Sequence, residues 1–194
     1  RPVEGRADMQ LDGDRLDVDT ELVSGDARLR ASGGIGGGRE LSFDVDVPRL
    51  GDLVASLGGS VSAQGKLGGT AQSPWIEATA SGAALLLPGQ HRIDKFDATL
   101  RGGLAPDAPL DVAVTLSGHK APGRPELWLS TASLTAKGTT SAHAIALDAK
   151  TETGEPLTLR AGGGWLEDAW RGKVDSLAAG RPLDLLLEGT APLL

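Results

Sequence analysis

Alternation with a period of two governs this chain, and it is cleanest between Gly59 and Ala84. Val61, Ala63, Gly65 and Leu67 take every second place there, and Ser60, Ser62, Gln64 and Lys66 take the places between. Successive side chains on a strand point to opposite faces, so the run is a strand with one apolar and one wet face. Gly68-Gly69-Thr70 breaks it and Pro74 restarts it; Ile76, Ala78, Ala80 and Gly82 then repeat the pattern against Glu77, Thr79 and Ser81. The rest of the chain varies this unit of strand, turn and strand.

Upstream, Val3, Gly5, Ala7, Met9 and Leu11 alternate with polar residues, and Asp12-Gly13-Asp14 is a tight-turn signal. Leu16, Val18, Thr20 and Leu22 carry the next strand, with Asp17, Asp19 and Glu21 on its other face. Ala27, Leu29 and Ala31 follow, then a glycine loop over 33–38, then Leu41, Phe43, Val45 and Val47 with Asp44 and Asp46 facing away. Past Pro48 the period changes. Leu50, Leu53, Val54 and Leu57 stand at i, i+3, i+4 and i+7, which predicts one short helix over 49–58, stopped by Gly58-Gly59.

Downstream, Leu85 and Leu87 run into the Pro88-Gly89 turn, and the three-residue step from Ile93 to Phe96 predicts a bulge at Asp94-Lys95. Leu110, Val112, Val114 and Leu116 form another clean strand. Leu127, Leu129 and Thr131 change phase before Leu134 and Ala136; His143, Ile145, Leu147 and Ala149 alternate, as do Leu157, Leu159 and Ala161. Residues 162–170 read as a loop flanked by Trp165 and Trp170, Val174 and Leu177 as a short strand, and Leu183, Leu185 and Leu187 as the last one. About a dozen strands of roughly six residues, with turn signals about every 10 residues, predict an all-β meander.

Hydrophobic residues make up 40% of the 194, enough for a core, but aromatics are only 3% and tyrosine is absent, so Leu, Val and Ala fill the apolar positions. The net charge of -7 comes from 19 basic and 26 acidic residues spread along the chain. No basic stripe forms, which argues against nucleic acid as a partner. The absence of cysteine removes disulfides, thiol catalysis and cysteine metal sites. No apolar run approaches the roughly 18 residues of a membrane helix. Arg1 to Ala7 already reads as a strand, so the chain is expected to be a segment of a larger protein whose targeting element lies elsewhere.

The residues that could carry chemistry read more simply as structure. Asp17, Asp19 and Glu21, like Asp44 and Asp46, share one strand face and suit a solvated surface. His91, His119 and His143 have no partner at a metal spacing and suit solvent or turn positions, with His143 in phase with Ile145 and so partly buried. The glycines of 33–38 mimic a phosphate loop, but a strand rather than a helix follows them. Trp75, Trp128, Trp165 and Trp170 suit packing or strand-end anchoring better than a sugar-stacking surface. The expectation is no enzyme, no cofactor and no metal.

The functional question is then what covers the apolar face. Two sheets could pack as a sandwich, one sheet could close into a barrel, or the sheet could curl into a trough for apolar ligands. An outer-membrane barrel would carry aromatic girdles, and they are missing. Small residues on the apolar face, Gly5, Gly65 and the alanines, leave room and favour a trough for acyl chains or another chain. Its expected lining is Leu41, Phe43, Val45 and Val47, then Val61, Ala63 and Leu67, then Ile76 and Ala78, then Leu110, Val112, Val114 and Leu116.

The stretch from Gly59 to Thr70, followed by Pro74-Trp75-Ile76-Glu77-Ala78, resembles the repeated G-x-L-x-A-x-G-x-L-x-G-T…P-x-L-x-G stretch of the TamB family. The short helix before it, the hairpin from Leu11 to Leu22, and Trp170-Arg-Gly-Lys-Val with Leu183 to Pro192 resemble further elements of that family in the same order. Trp75 stands where the family carries a smaller residue, and 118–147 departs from the pattern. AsmA-like proteins share the architecture and stay open as an alternative. The resemblance implies a long, antiparallel-rich sheet curved into a taco-like groove with an apolar interior and no enzymatic site. It implies a protein anchored in the inner membrane that spans the periplasm of Gram-negative bacteria. It implies movement of phospholipid, through its acyl chains, to the outer membrane. It also implies assembly of outer-membrane proteins such as autotransporters with a TamA partner. Residues 1–194 would be one groove segment with an internal repeat break near 48–59. Two other roles stay open: a β-augmentation chaperone for unfolded outer-membrane protein strands without lipid transport, and an extracellular adhesin or glycan-binding sandwich.

Overall fold

The computed structural model describes residues 2–70, 73–103, 105, 107–123, 128–166 and 169–179, with Leu166 by its backbone alone. The described residues form β1 (Glu4–Asp12), β2 (Arg15–Ser24), β3 (Ala27–Gly36), β4 (Arg39–Val47), β5 (Gly58–Gly69) and β6 (Pro74–Leu87). They continue as β7 (His91–Gly103), β8 (Pro109–His119), β9 (Leu129–Thr139), β10 (His143–Thr151), β11 (Pro156–Leu166) and β12 (Ala169–Ala179). All twelve lie in one sheet in sequence order, each antiparallel to its neighbours. Among the described residues β1 and β12 are its two open edges, and no second sheet lies against it. The fold is the expected all-β meander, open rather than closed. The expected strand at Leu183 to Leu187 lies outside the described residues.

The strands run to 9–14 residues, longer than the alternation predicts. Glycine explains the difference, because a residue without a side chain contributes nothing to the alternation and reads as loop. Ile35 and Gly36 still belong to β3. Gly162, Gly163 and Gly164 carry β11 on into Trp165, which pairs with Trp170 in a hairpin rather than flanking a loop.

The short helix after Pro48 is a single 3-10 turn, Leu50–Asp52. The N–H groups of Leu53 and Val54 both donate to the Leu50 carbonyl, at 3.0 and 2.9 Å, and Leu57 N–H donates to Val54 at 2.9 Å. Helix nucleation fixes several residues for one bond, and a span this short, with Gly51 in its first turn, gives few bonds to offset that cost. Among the described residues no helix is long and apolar enough to cross a membrane.

Each phase change in the sequence has a backbone irregularity behind it. Ser130 is an extra residue between the pairs Thr131–Lys150 and Leu129–Thr151, and its hydroxyl donates to the carbonyls of Lys150 and Thr151 at 3.2 and 3.1 Å. Asp175 is an extra residue between the pairs Arg160–Ser176 and Ala161–Val174. The third change spans four strands at one level. Gly59 (φ 89°) faces the bulged Ala84 (φ 51°), Ala84 stands between the pairs Ala83–Lys95 and Leu85–Ile93, and Gly118 (φ 67°) lies against the Asp94 side chain. The phase slip expected at Asp94-Lys95 lies on this line, but β7 keeps one register with β6 and β8 there, and the bulge falls in β6 against β5.

No large side chain is fully buried among the described residues. Leu41, Val47 and Leu85 are the largest apolar side chains below one-tenth exposure. A single layer is therefore stabilised along its strand-to-strand ladder and by half-burial of its apolar face.

The left-handed Ala84 makes a test of the kink line. Ala in that region costs about 1–2 kcal/mol, partly offset by the ~0.5–1 kcal/mol entropic cost of glycine. Ala84→Gly is therefore expected to raise the urea midpoint at unchanged m-value, whereas Ala80→Gly in the regular part of β6 lowers it. Equal losses in the two variants would show that no strain is stored at Ala84.

Candidate functional site: an apolar face without a cover

Register converts the alternation along each strand into rows across the sheet. One row runs Gly5, Leu22, Leu29, Val45, Ala63, Ala80, Ala98, Val114, Leu134, Leu147, Leu159 and Leu177, one residue from each of the twelve strands and none of them polar. At about 4.8 Å per strand the row extends about 50 Å. The next row holds Phe43, Gly65, Ala78, Leu100 and Val112, with Thr20 as its one polar residue. A third joins Val47, Val61, Gly82, Phe96 and Leu116, and a fourth joins Leu41, Leu67 and Ile76, with Leu110 paired to Gly138 further along. All thirteen residues expected to line the trough thus stand on one face, in four adjacent rows. Most of this face is half-buried, and no described element packs over it.

The middle of the face is low. Ala63, Ala80 and Ala98 sit side by side in β5 to β7, between Val45 on one flank and Val114 on the other. The two phenylalanines do not fill the space above them. A Cβ on Gly65 would strike the Phe43 ring, and one on Gly82 would strike the Phe96 ring, so each ring lies across a glycine of the next strand. Cross-strand aromatic cover of glycine protects backbone that has no side chain of its own, and here it lays the ring along the sheet.

The outward face is charged and ordered by sign. Lys66, Glu77, Arg101, Asp111 and Lys137 stand directly opposite one another across β5 to β9, alternating plus and minus. Arg101 contacts Glu77 at 3.0 Å, Lys137 contacts Asp111 at 3.4 Å and Lys66 contacts Glu40 at 2.8 Å. The Glu40 hydrogen bond and charge raise the Lys66 ammonium above its ordinary value, so this contact is complete at neutral pH and is lost only as strongly alkaline pH deprotonates Lys66. Arg39–Asp17 and Arg49–Asp26 are further exposed pairs. Exposed pairs stabilise by at most about 1 kcal/mol each; their larger effect is on register, since a one-residue slip would put them among the apolar rows. One hollow between outward side chains is lined by Lys95, Asp97, Thr115, Ser133, Asp148 and Lys150, with Leu116, Ala132 and Ala149 exposing apolar surface at its floor.

The histidines are more engaged than their spacing suggests. His143 is only 7% exposed. Its Nδ1 donates to the Thr139 carbonyl at 3.0 Å and its Nε2 accepts the Trp170 indole N–H at 2.9 Å. Trp170 can only donate and a carbonyl can only accept, which fixes a neutral ring with its proton on Nδ1. The Trp170 ring lies over Gly163 and Gly172 on the way. His91 and His119, expected at solvent or turn positions, are half-buried and touch, Nδ1 to Nε2, at 3.3 Å. They stand 28 positions apart, so no local signal could have paired them. Trp128 donates to the Ala121 carbonyl at 2.8 Å and carries the Lys120 ammonium 5.2 Å above its ring, while Trp75 lies over Gly68; both are strand-end anchors. No cluster of three or more metal-ligating side chains occurs among the described residues.

Comparison with known proteins gives one finding. The family model described as "TamB, N-terminal domain" matches residues 2–184. No curated protein and no solved structure matches the chain.

The Trp170–His143 contact is testable. Trp170→Phe keeps a ring over Gly163 and Gly172 but leaves the buried His143 Nε2 without a donor. The expected loss is about 1–3 kcal/mol in urea unfolding, against less than ~0.5 kcal/mol for Trp165→Phe at an exposed position. Equal stability of the two variants would contradict the bond.

Proposed function

We propose that this chain, which belongs to the TamB family, is a non-enzymatic groove segment that carries phospholipid acyl chains along its apolar rows. The observation that supports this reading most is the row from Gly5 to Leu177, apolar on every strand and without a described element over it. A ligand moving from strand to strand along such a row meets no polar side chain, and its headgroup can stay in water beyond the sheet margin. Leu41, Phe43, Val45, Val47, Val61, Ala63, Leu67, Ile76, Ala78, Leu110, Val112, Val114 and Leu116 are the proposed lining. The low middle at Ala63, Ala80 and Ala98 is the proposed floor. The line of irregular residues from Gly59 to Gly118 runs in the same direction as the rows.

The wider setting follows the family resemblance. The segment would act in the periplasm as part of a longer protein anchored in the inner membrane, serving outer-membrane biogenesis with a TamA-like partner. The whole of 1–194 would be one groove segment, with the 3-10 turn after Pro48 marking the break between two repeats. A second reading, capture of unfolded outer-membrane protein strands by β-augmentation, is favoured by one observation. Every residue of the edge strand β1 is exposed, with Met9 at 69% and Leu11 at 73%, and an open edge accepts a further strand. The adhesin or glycan-binding sandwich has no such support, since all twelve described strands share one sheet.

Photoreactive residues placed singly at Val45, Val114, Asp44 and Asp46 test the conduit. Phospholipid is expected to crosslink at Val45 and Val114 and not at the two aspartates. Equal labelling of both faces would overturn the reading, and crosslinks to unfolded outer-membrane protein along β1 alone would replace it with the second.

A further inference from the structure

We propose that His91 and His119 form a two-coordinate site for a monovalent d10 cation, Cu(I) or Ag(I). His91 opens β7 and His119 closes β8, and each directly precedes one of the bridged residues Arg92 and Lys120. Arg92 and Lys120 exchange both backbone hydrogen bonds, at 3.0 and 2.9 Å, so the two imidazoles spring from a closed piece of backbone.

The geometry of the pair is specific. The ring planes are 15° apart with centroids at 5.5 Å, and His91 Nδ1 is 3.3 Å from His119 Nε2. A five-membered ring with bonds of about 1.33 Å has a radius of roughly 1.1 Å. Nitrogens 3.3 Å apart therefore leave centroids 5.5 Å apart only when the rings point end to end in nearly one plane, rather than face to face. Two nitrogen lone pairs then look at each other along one line. A single proton can join them, and so can a linear two-coordinate ion.

The surroundings select the kind of ion. Zinc takes four ligands in a tetrahedron, and no third His, Cys, Asp or Glu completes a set among the described residues. A linear d10 ion needs only two. Cationic Arg92 and Lys120 stand next in sequence to the ligands, which disfavours a divalent charge more than a monovalent one; Glu152, 3.5 Å from the Lys120 ammonium, offsets part of that field. The chain has no cysteine, and its one methionine, Met9, lies on β1 at the far side of the sheet, so no softer ligand competes nearby. His119 Nδ1 is buried without a partner, leaving His91 as the polar contact that orients its ring. Holding an ion requires nitrogens about 4 Å apart, twice a metal–imidazole bond of ~2 Å. Gly89 presents no side chain to the His91 ring, where a Cβ would stand 3.3 Å from it, and so leaves that ring space in which to move by that fraction of an ångström; the Asp94 carboxylate, lying against Gly118, adds a negative charge beside His119. A bound ion would staple β7 to β8 beyond the kink line.

Silver(I) nitrate in chloride-free buffer, added to the 194-residue chain, is the probe. Native mass spectrometry is expected to retain one Ag(I) per chain and no Zn(II) at equal concentration. In long-range ¹H–¹⁵N spectra the His91 Nδ1 and His119 Nε2 resonances should shift together while those of His143 stay fixed. His91→Ala and His119→Ala should each weaken Ag(I) binding beyond the roughly 10–100-fold loss typical of an outer-shell change, whereas Met9→Leu leaves it intact. Binding that survives both histidine variants, binding lost in Met9→Leu, or imidazole shifts confined to one ring or to His143 would each overturn the proposal. The spectra of the unaltered chain decide it even if a variant fails to fold.

Discussion

Among the described residues, the antiparallel meander leaves no element over to cover its own apolar face, and the rest of the described structure depends on that constraint. Each of the twelve strands pairs only with its neighbours in sequence. The fully described turns β1–β2, β2–β3 and β3–β4 are each of two residues, and the one span with helical periodicity is a single 3-10 turn. No described segment is therefore long enough to lie back across rows about 50 Å in extent. An apolar face of this extent calls for a cover. The chain belongs to the TamB family, whose N-terminal domain matches residues 2–184.

Register makes the face continuous. Alternation alone gives each strand an apolar side, but the rows exist only because every pairing brings those sides into line. The alternating charges at Lys66, Glu77, Arg101, Asp111 and Lys137 work as the counterpart on the outward face, since a slip by one residue would carry them inward. Bulges at Ser130 and Asp175 preserve the rows where the sequence slips phase, by removing one residue from the count.

Much of this was legible in the sequence. A period of two depends on solvent and needs no tertiary information, so Leu41 to Val47 and Leu110 to Leu116 were placed correctly on one face. The phase slips were visible too, although the step from Ile93 to Phe96 gave no hint that Gly59, Ala84 and Gly118 join it across four strands. Glycine hid strand length, because Gly162 to Gly164 have no side chain to mark a face. The four apolar positions from Leu50 to Leu57 showed a helical period that a span containing Gly51 is too short to sustain. The His91–His119 and His143–Trp170 contacts were illegible, since the partners stand 28 and 27 positions apart and only the folded register brings them together.

The proposed conduit requires apolar rows that are open to lipid and an outward face that is not. The chain has no cysteine, so single cysteines carrying spin labels can be placed at Ala63, Ala80 and Ala98 in one row and at Gln64, Thr79 and Thr99 on the outward face. The measurement is label access to dissolved oxygen and to a water-soluble nickel chelate, with and without phospholipid. The row labels are expected to reach the nickel chelate in lipid-free protein, then lose that access and gain oxygen access when phospholipid is added, while the outward labels do not change. Row labels shielded from both reagents before lipid is added, or an equal response on the two faces, would contradict it.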